Sequence, residues 1–397
     1  MKLKEEFIKF SENKEKLISD TFYFKNKKLP IIQAVDELKA EYKFIDIRKD
    51  KVKMLDQQLA NIEKTMQAKT DYIPFLAPWH SIGEYADAFG SKQKWYDDRD
   101  PVTLPAINNT EDVYDLKPDL KNSKLMNMTL DTIRYFQNKI GTSIPISTCA
   151  PIGPFLLASM IMNPNIFFIS LLTNKKEMHY LIDLCTKVFI EFYDRQLDII
   201  KNPALPGIEY VYSKNAEGII ISADSLAQVS PDIFEEYSVP AIEKIADKFN
   251  GIILHSCGNW MHNLDVVLKI RGLKGLNFHS SPIEMDPEIV LKKIRKSKKN
   301  IHVLTDFGKI GIRWTDYFKN EKDAYSNWYL KKILYNGIPT GVFISTFDNY
   351  PDVPKYVYGI GRENVSIEKM NNDYTWIRAQ IEKILSKSVP ALLYPSS

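Results

Sequence analysis

Two phosphate-binding signatures are missing from this chain of 397 residues. No G-x-G-x-x-G opens a helix and no G-x-x-x-x-G-K-[ST] occurs, so dinucleotide-binding and P-loop readings lose their main support. Cysteine is scarce, with only Cys149, Cys185 and Cys257. An odd, sparse count argues against a disulfide framework and suits a reducing, cytoplasmic setting. Uninterrupted apolar runs are missing too. The longest apolar stretch, 154–172, is broken by Asn163, Pro164 and Asn165 and is too interrupted to span a bilayer. The first residues, MKLKEEFIKFSENKEKL, are charged and helical and lack the apolar centre of a signal peptide. Neither charge sign dominates, because the net charge is only +3. The most basic stretch, KKIRKSKKN at 292–300, continues the helical pattern of Ile289, Val290, Leu291 and Ile294. It reads as a solvated helix end, and a nucleic-acid partner is not expected. These absences leave a soluble globular protein with no membrane or nucleic-acid role.

What is present is a composition 44% hydrophobic and 26% charged, over a length that can hold two average domains or one large α/β barrel with additions. Residues 1 to about 75 read as helices, with amphipathic spacing over 3–18, 31–42 and 52–66. They form a helical N-terminal extension (1–70). The apolar spacing is not sustained over enough heptads for a coiled coil. From residue 71 onward the texture changes. Short apolar runs at 72–77, 144–148, 218–222, 251–255, 275–278, 301–305 and 341–345 read as strands. Helical patterns at 125–139, 176–200, 231–249, 263–270, 287–296 and 325–336 lie between them. The helix at 231 has a marked start, with Ser230 placed to cap it, Pro231 at the first position and Glu235 in the first turn. Alternating strands and helices imply a parallel sheet. Seven or eight strands over 71–397 favour an α/β fold of the (β/α)8 TIM-barrel kind over an open sheet.

In such a barrel the chemistry gathers at the carboxyl ends of the strands. The polar residues there are His80, Cys149, Asp224, His255 with Cys257, His279, Asp306 and Asp348. The most informative segment is Gly251–Trp260, GIILHSCGNW. A β-branched run delivers His255 and Cys257 to a Gly-Asn turn, and residues two apart on a strand share a face. An imidazole and a thiol can therefore converge as a half-site for zinc. The alternative is two ordinary core residues at a strand end. Asp224 reads as a substrate or proton-transfer residue, or as a cap of the turn after its strand. His80 reads as a pocket residue or as one that satisfies its loop, Trp79 as packing with ligand contact as its alternative, and His279 as a candidate pocket residue. Cys149 reads as a small buried hydrophobe, with a ligand role as its alternative, and Cys185 as core. His262 is expected on an exposed helix face, and His179 and His302 to be structural.

Four segments carry a family likeness. They are GEYADAFGSKQKW, PISTCAPIGPFLLASMIM with Gly153, Pro154, Phe155 and Ala158, ADSLAQVSPDIFEEYSVPAIEKI, and ILHSCGN. In order and spacing they resemble the uroporphyrinogen decarboxylase superfamily. Within it they resemble the zinc-dependent methyltransferases that act on methylated corrinoid proteins and thiols. The likeness covers roughly 75–375 and implies a (β/α)8 barrel with a helical extension and one zinc ion at its mouth, held by His255 and Cys257. Members complete that site with a second cysteine after the last strands. Here the matching segment reads GVFISTFDNYPDVP, and Asp348 stands at about the corresponding place, which makes it the expected third ligand unless the site is weak or another residue closes it. No cysteine follows Cys257. The resemblance further implies catalytic roles for Asp224, His255 and Cys257, and a pocket shaped by Trp79, His80 and His279. It also implies a corrinoid-binding partner protein, a small-molecule thiol and pairing as a homodimer. The R-Q-A-G-R signature of the true decarboxylases does not occur, which disfavours a porphyrin with many carboxylates as substrate. Two other functions fit the same barrel: a metal-free decarboxylase or lyase acting on a small carboxylate, and a binding homologue without chemistry.

Overall fold

The computed structural model of the protein describes residues 2–34, 42–208, 210–307, 317–345 and 366–387. Six strands form one parallel sheet: β1 (Ile31–Ile32), β2 (Ile219–Ser222), β3 (Ile252–His255), β4 (Leu273–Ser280), β5 (His302–Phe307) and β6 (Val342–Ser345). Their spatial order is β1-β6-β5-β4-β3-β2, so each strand from β2 to β6 lies beside its sequence neighbour. Helices separate them, as parallel pairing requires.

Two further segments close the ring without forming continuous ladders. Asp71 donates its N–H to the carbonyl of Ile31 (3.0 Å), and Thr70 Oγ1 bonds both the N–H and the carbonyl of Gln33. Leu76 N–H reaches the carbonyl of Pro145, and Ser147 N–H the carbonyl of Leu76. Finally Ser222 donates to Pro151 and Gly153 donates back to Ser222 at 2.9 Å. That approach needs a glycine, since a Cβ at position 153 would sit 2.7 Å from the Ser222 carbonyl oxygen. With segments 70–77 and 144–153 counted as staves, eight extended stretches surround one axis. The fold is an α/β barrel of the TIM type.

Alternation along the staves builds two apolar layers. Leu76, Ile146, Ile220, Ile253, Leu304 and Phe343 belong to one buried cluster, the barrel interior. Their neighbours Ile219, Ile221, Ile252, Leu254, Leu276 and Val303 belong to the other, shared with the surrounding helices. The helix Pro231–Ile233 starts as expected: Ser230 Oγ accepts from Ile233 N–H, and Pro231 occupies the first turn. It widens into a π turn over Phe234–Ser238 before continuing as Val239–Lys248. Pro240 lacks the N–H that a regular ladder would use, and a π turn is one way to accommodate the gap. The helix Pro287–Ser297 ends at Lys298, in the left-handed conformation, and Lys296, Lys298 and Lys299 are exposed. The basic stretch is thus a solvated helix end. Among the described residues, no helix is long and apolar enough to cross a membrane.

The N-terminal region differs from its expected shape. Helices Lys2–Phe22, Phe44–Lys49 and Lys51–Gln67 are present, but Ile31 and Ile32, expected to begin a helix, pair with Ile344 and Ser345 as a strand. Residues 35–41 lie outside the described set. A two-residue strand carries almost no periodicity, and only its partner strand identifies it. β1 lies on the N-terminal side of the boundary expected at residue 70 and pairs with β6 as a stave. The helices have a definite job. Phe7, Ile18 and Phe22, with Met54, Leu55 and Ile62, join the interior cluster. The Phe22 ring lies 4.9 Å from His302 and 5.2 Å from Phe343, at the amino ends of the staves. They plug the bottom of the cylinder and leave the carboxyl ends for chemistry. The C-terminal helix Ile367–Lys387 braces the β1 side, where Arg378 bonds Asp71 and the carbonyl of Leu29.

Candidate metal centre at the barrel mouth

Register places the site. His255, the last residue of β3, is paired with Asn277 on β4, and His279 on β4 is paired with Asp306 on β5. Residues matched across parallel strands present the same face, and both pairs meet through their side chains. His255 Nδ1 lies 2.6 Å from Asn277 Oδ1, and His279 Nδ1 lies 2.6 Å from Asp306 Oδ1. Asn277 Nδ2 donates to the carbonyl of Leu304 (3.1 Å), which fixes the amide so that its oxygen faces the ring. An amide oxygen and a carboxylate only accept, so each histidine carries its proton on Nδ1. His255 Nε2 faces the mouth, toward Cys257 and Asp224.

The other donors come from the turns that follow the strands. Cys257 lies two residues beyond β3, with its Sγ 3.5 Å from His255 Nε2 and 3.7 Å from His279 Nε2. Asp224 opens the 3-10 turn Asp224–Gln228 after β2. Its Oδ1 accepts from the Cys257 N–H (2.8 Å) and lies 3.6 Å from His255 Nε2. Asp224 thus both anchors the backbone at Cys257 and points an oxygen at the imidazole.

Electrostatics favour a reactive sulfur. Burial alone pushes the Cys257 thiol up, but hydrogen bonds from His255 and His279 outweigh it and bring the thiol below its ordinary value. The Asp306 carboxylate holds His279 well above the usual imidazole range, against the opposing effect of burial. The other two thiols behave oppositely. Cys149 and Cys185 are fully buried, and burial pushes both far up.

These residues fit a zinc ion. With zinc–sulfur at about 2.3 Å and zinc–nitrogen or –oxygen at about 2.0–2.2 Å, the edges of a tetrahedron are roughly 3.6 Å for sulfur–nitrogen and roughly 3.4 Å for oxygen–nitrogen. The observed 3.5 Å between sulfur and nitrogen and 3.6 Å between oxygen and nitrogen are close to these lengths. Donor atoms of Asp224, His255 and Cys257 all lie within 4.8 Å of one another. The chemistry agrees, since one nitrogen, one sulfur and one carboxylate oxygen are all donors that zinc accepts.

The structure places the residues singled out in the sequence as follows. Asp348, expected as third ligand, lies outside the described residues. Asp224, read as a substrate or proton-transfer residue or as a cap of its turn, stands beside His255 and Cys257 with a carboxylate oxygen 3.6 Å from His255 Nε2. His80, expected to line the pocket, is fully buried. Its Nδ1 meets the Arg48 carbonyl (2.6 Å) and its Nε2 the Thr132 hydroxyl (3.0 Å), so neither nitrogen is left for a substrate. The N-terminal helix Phe44–Lys49 supplies that carbonyl, a long-range contact that local sequence does not reveal. Trp79 is half-buried against the core and points its Nε1 at Asp100 (3.4 Å). His262 is exposed, and His302 is buried at the far end of β5. Asn277 went unnoticed in the sequence. Its signal is position: it lies two residues before His279 on one strand, hence on the same face.

Comparison with known proteins follows the same lines. Over 241 residues the chain is 25% identical to the methyltransferase "Methylcobamide:CoM methyltransferase MtbA" of Methanosarcina acetivorans. The match takes in 60% of this chain and 63% of that protein, so the chain spans less than two thirds of the length of this relative. The solved structure of a methyltransferase from Methanosarcina mazei superposes with a TM-score of 0.60 over 93% of this chain and 98% of that one. At 15% identity it speaks for the fold alone. Residues 31–302 match the uroporphyrinogen decarboxylase (URO-D) family, from the first residue of β1 to the first of β5. That span is more than half of the chain and holds Asp224, His255, Cys257 and His279. By this match the chain belongs to the uroporphyrinogen decarboxylase (URO-D) family.

Proposed function

We propose that this protein is a methyltransferase that moves a methyl group from a methylated corrinoid, carried by a partner protein, to a small thiol. The observation that carries the reading is the set of Asp224, His255 and Cys257 at zinc-ligand separations on the barrel mouth. The relative from Methanosarcina acetivorans, whose name specifies a methylcobamide and CoM, supports the choice of donor and acceptor class. His255, Cys257 and Asp224 would hold zinc, which when bound lowers the pKa of a thiol brought to it.

The chain's own residues do the rest. Asn277 fixes the tautomer and tilt of the His255 ring, as outer partners of ligating histidines do. Asp224 pins the backbone at Cys257. Trp260, fully buried just beyond the site, donates its indole N–H to the Ser256 carbonyl (3.1 Å) and stiffens the turn that carries the cysteine. In the overall reaction the acceptor thiol loses its proton to solvent and a carbon–sulfur bond forms. The cobalt–carbon bond breaks, with its electron pair left on cobalt.

The test is direct. Purified protein is analysed for zinc and assayed for methyl transfer from free methylcobalamin to a panel of small thiols, with and without a strong chelator. Cys257→Ser is assayed alongside. Zinc at one equivalent, with activity that falls on chelation and on substitution, is the expected result. No bound zinc, or turnover untouched by chelator and by Cys257→Ser, ends the proposal and favours a metal-free lyase on the same barrel.

A further inference from the structure

The segments that crown the barrel are one-sided in charge. Residues 78–91, 154–174, 223–243, 256–268 and 281–291 follow the carboxyl ends of five staves and hold no lysine or arginine, in a chain that has 53 such residues. They do hold carboxylates, and several of these are engaged within the fold. Asp87 accepts from Ser123 Oγ at 2.6 Å, and Asp286 meets Lys332 Nζ at 2.6 Å. Glu84, fully buried, accepts the N–H groups of His80 and Ser81, and Asp224 accepts that of Cys257.

Glu284 is placed differently. It follows β4 in a turn closed by its own N–H, which reaches the Ser281 carbonyl at 3.2 Å and the Ser281 hydroxyl at 3.1 Å. That turn is tied to the one that carries Cys257, because Asn259 Nδ2 donates to the Ile283 carbonyl at 3.3 Å. The carboxylate oxygen Oε2 is shielded from solvent and has no hydrogen-bond partner among the described residues. Burial pushes the carboxyl up, His279 draws it down and Asp306 adds to the rise, so the group lies in the field of the pair that borders Cys257. A shielded carboxylate oxygen without a donor is costly, and a donor from outside the chain relieves that cost.

We infer that Glu284 selects the acceptor: it takes the ammonium group of an aminothiol whose sulfur is brought to the mouth beside Cys257. The inference rests on the methyltransferase reading above and names the charge class of its thiol. At long range, segments with carboxylates and no lysine or arginine favour an arriving cation over an anion. At short range, an ammonium N–H gives Oε2 the charge-assisted hydrogen bond that the chain does not supply. A thiol with an anionic tail would leave that oxygen unpaired and set two negative groups side by side.

Calorimetric titration of the zinc-loaded full chain tests this without recourse to turnover. The probes are cysteamine, 2-mercaptoethanol and 2-mercaptoethanesulfonate, which differ in the charge of the tail. Their S-methyl forms repeat the series with no thiol proton to lose. Cysteamine should bind roughly 10–100-fold tighter than 2-mercaptoethanol, with the sulfonate weakest, and Glu284→Gln should bring cysteamine down to the level of 2-mercaptoethanol. Circular dichroism and zinc content of the variant confirm that fold and metal are retained. A sulfonate that binds best, three equal affinities, or a cysteamine preference that survives Glu284→Gln overturns the role of Glu284 and leaves the methyltransferase reading standing. If none of the thiols binds the zinc-loaded chain, both readings fall together.

Discussion

Two histidines at opposite ends of adjacent staves show what each end of the barrel is for. His302 opens β5 at the plugged bottom, stacked on Phe24 at 4.8 Å and edge-on to Phe22. Burial drives it down to about 3, and its Nδ1 finds no hydrogen-bond partner among the described residues. His279, near the end of β4, has a carboxylate behind it and a thiol before it, and is held far up. The same side chain is an uncharged aromatic plate at one end and a polarised donor at the other. The difference comes from what the sequence brings to each rim: phenylalanines from the N-terminal helices at the bottom, and Asp, Asn and Cys at the mouth. Stability and chemistry are thereby separated along the axis, which is general for this barrel type.

The largest expected effect comes from destroying the mouth. Cys257→Ser should lose zinc and methyl transfer by more than the roughly 10–100-fold typical of outer-partner changes, while its melting temperature without metal stays near that of wild type. Metal content and thermal melts read the two together. A variant that instead unfolds would show that the mouth also carries stability, and the separation would break.

Next is the plug. Phe22 is 6% exposed and packs on His302, Phe343 and Tyr210. Phe22→Ala should cost about 3–5 kcal/mol of unfolding free energy in denaturant melts. Zinc stoichiometry in the surviving folded protein should not change. Loss of zinc at full folding would mean that the two ends communicate.

A smaller effect concerns pH. His302 titrates near 6.5 when unfolded and at about 3 when folded, because burial disfavours its charge. As pH falls below 6.5 the unfolded chain takes up the proton first, so this group's contribution erodes stability from about 6.5 down to about 3 and has no effect at neutral pH. His302→Phe should flatten that acid limb in denaturant melts at a series of pH values. An unchanged limb would mean that other groups control acid unfolding.

The smallest effect should come from Asn277→Ala, which frees the His255 ring without removing a ligand. Zinc affinity should drop by roughly tenfold, about 1.4 kcal/mol, in a chelator competition. No change would assign the ring's orientation to packing alone.

Much of the barrel was legible because its staves are short β-branched runs. The expected 218–222, 251–255 and 341–345 fall within one residue of β2, β3 and β6. β4 extends further than expected, to Leu273–Ser280, because Lys274 and His279 interrupt its apolar pattern at the ends. Segments 72–77 and 144–148 read as strands but contribute single bridges through Leu76 and Ile146. β1 was invisible, since two isoleucines before a polar stretch carry no period. At the site, strand-end position and alternation pointed to Asp224, His255, Cys257 and His279. They did not show which side chains pair across strands. Register is a tertiary property, and with it came Asn277 behind His255 and Asp306 behind His279. The burial of His80 under the Arg48 carbonyl was hidden for the same reason.

The uneven closure of the ring has a dynamic consequence. The side carrying the metal donors is laddered continuously from β2 to β5, whereas the opposite side is stitched by isolated bonds at Leu76, Ile146 and Ile152. Breathing of the cylinder should therefore begin along that seam. Amide deuteration at Leu76 and Ser147 should run ahead of that at Ile253 and Leu254, and the donors would keep their spacing while the far wall loosens.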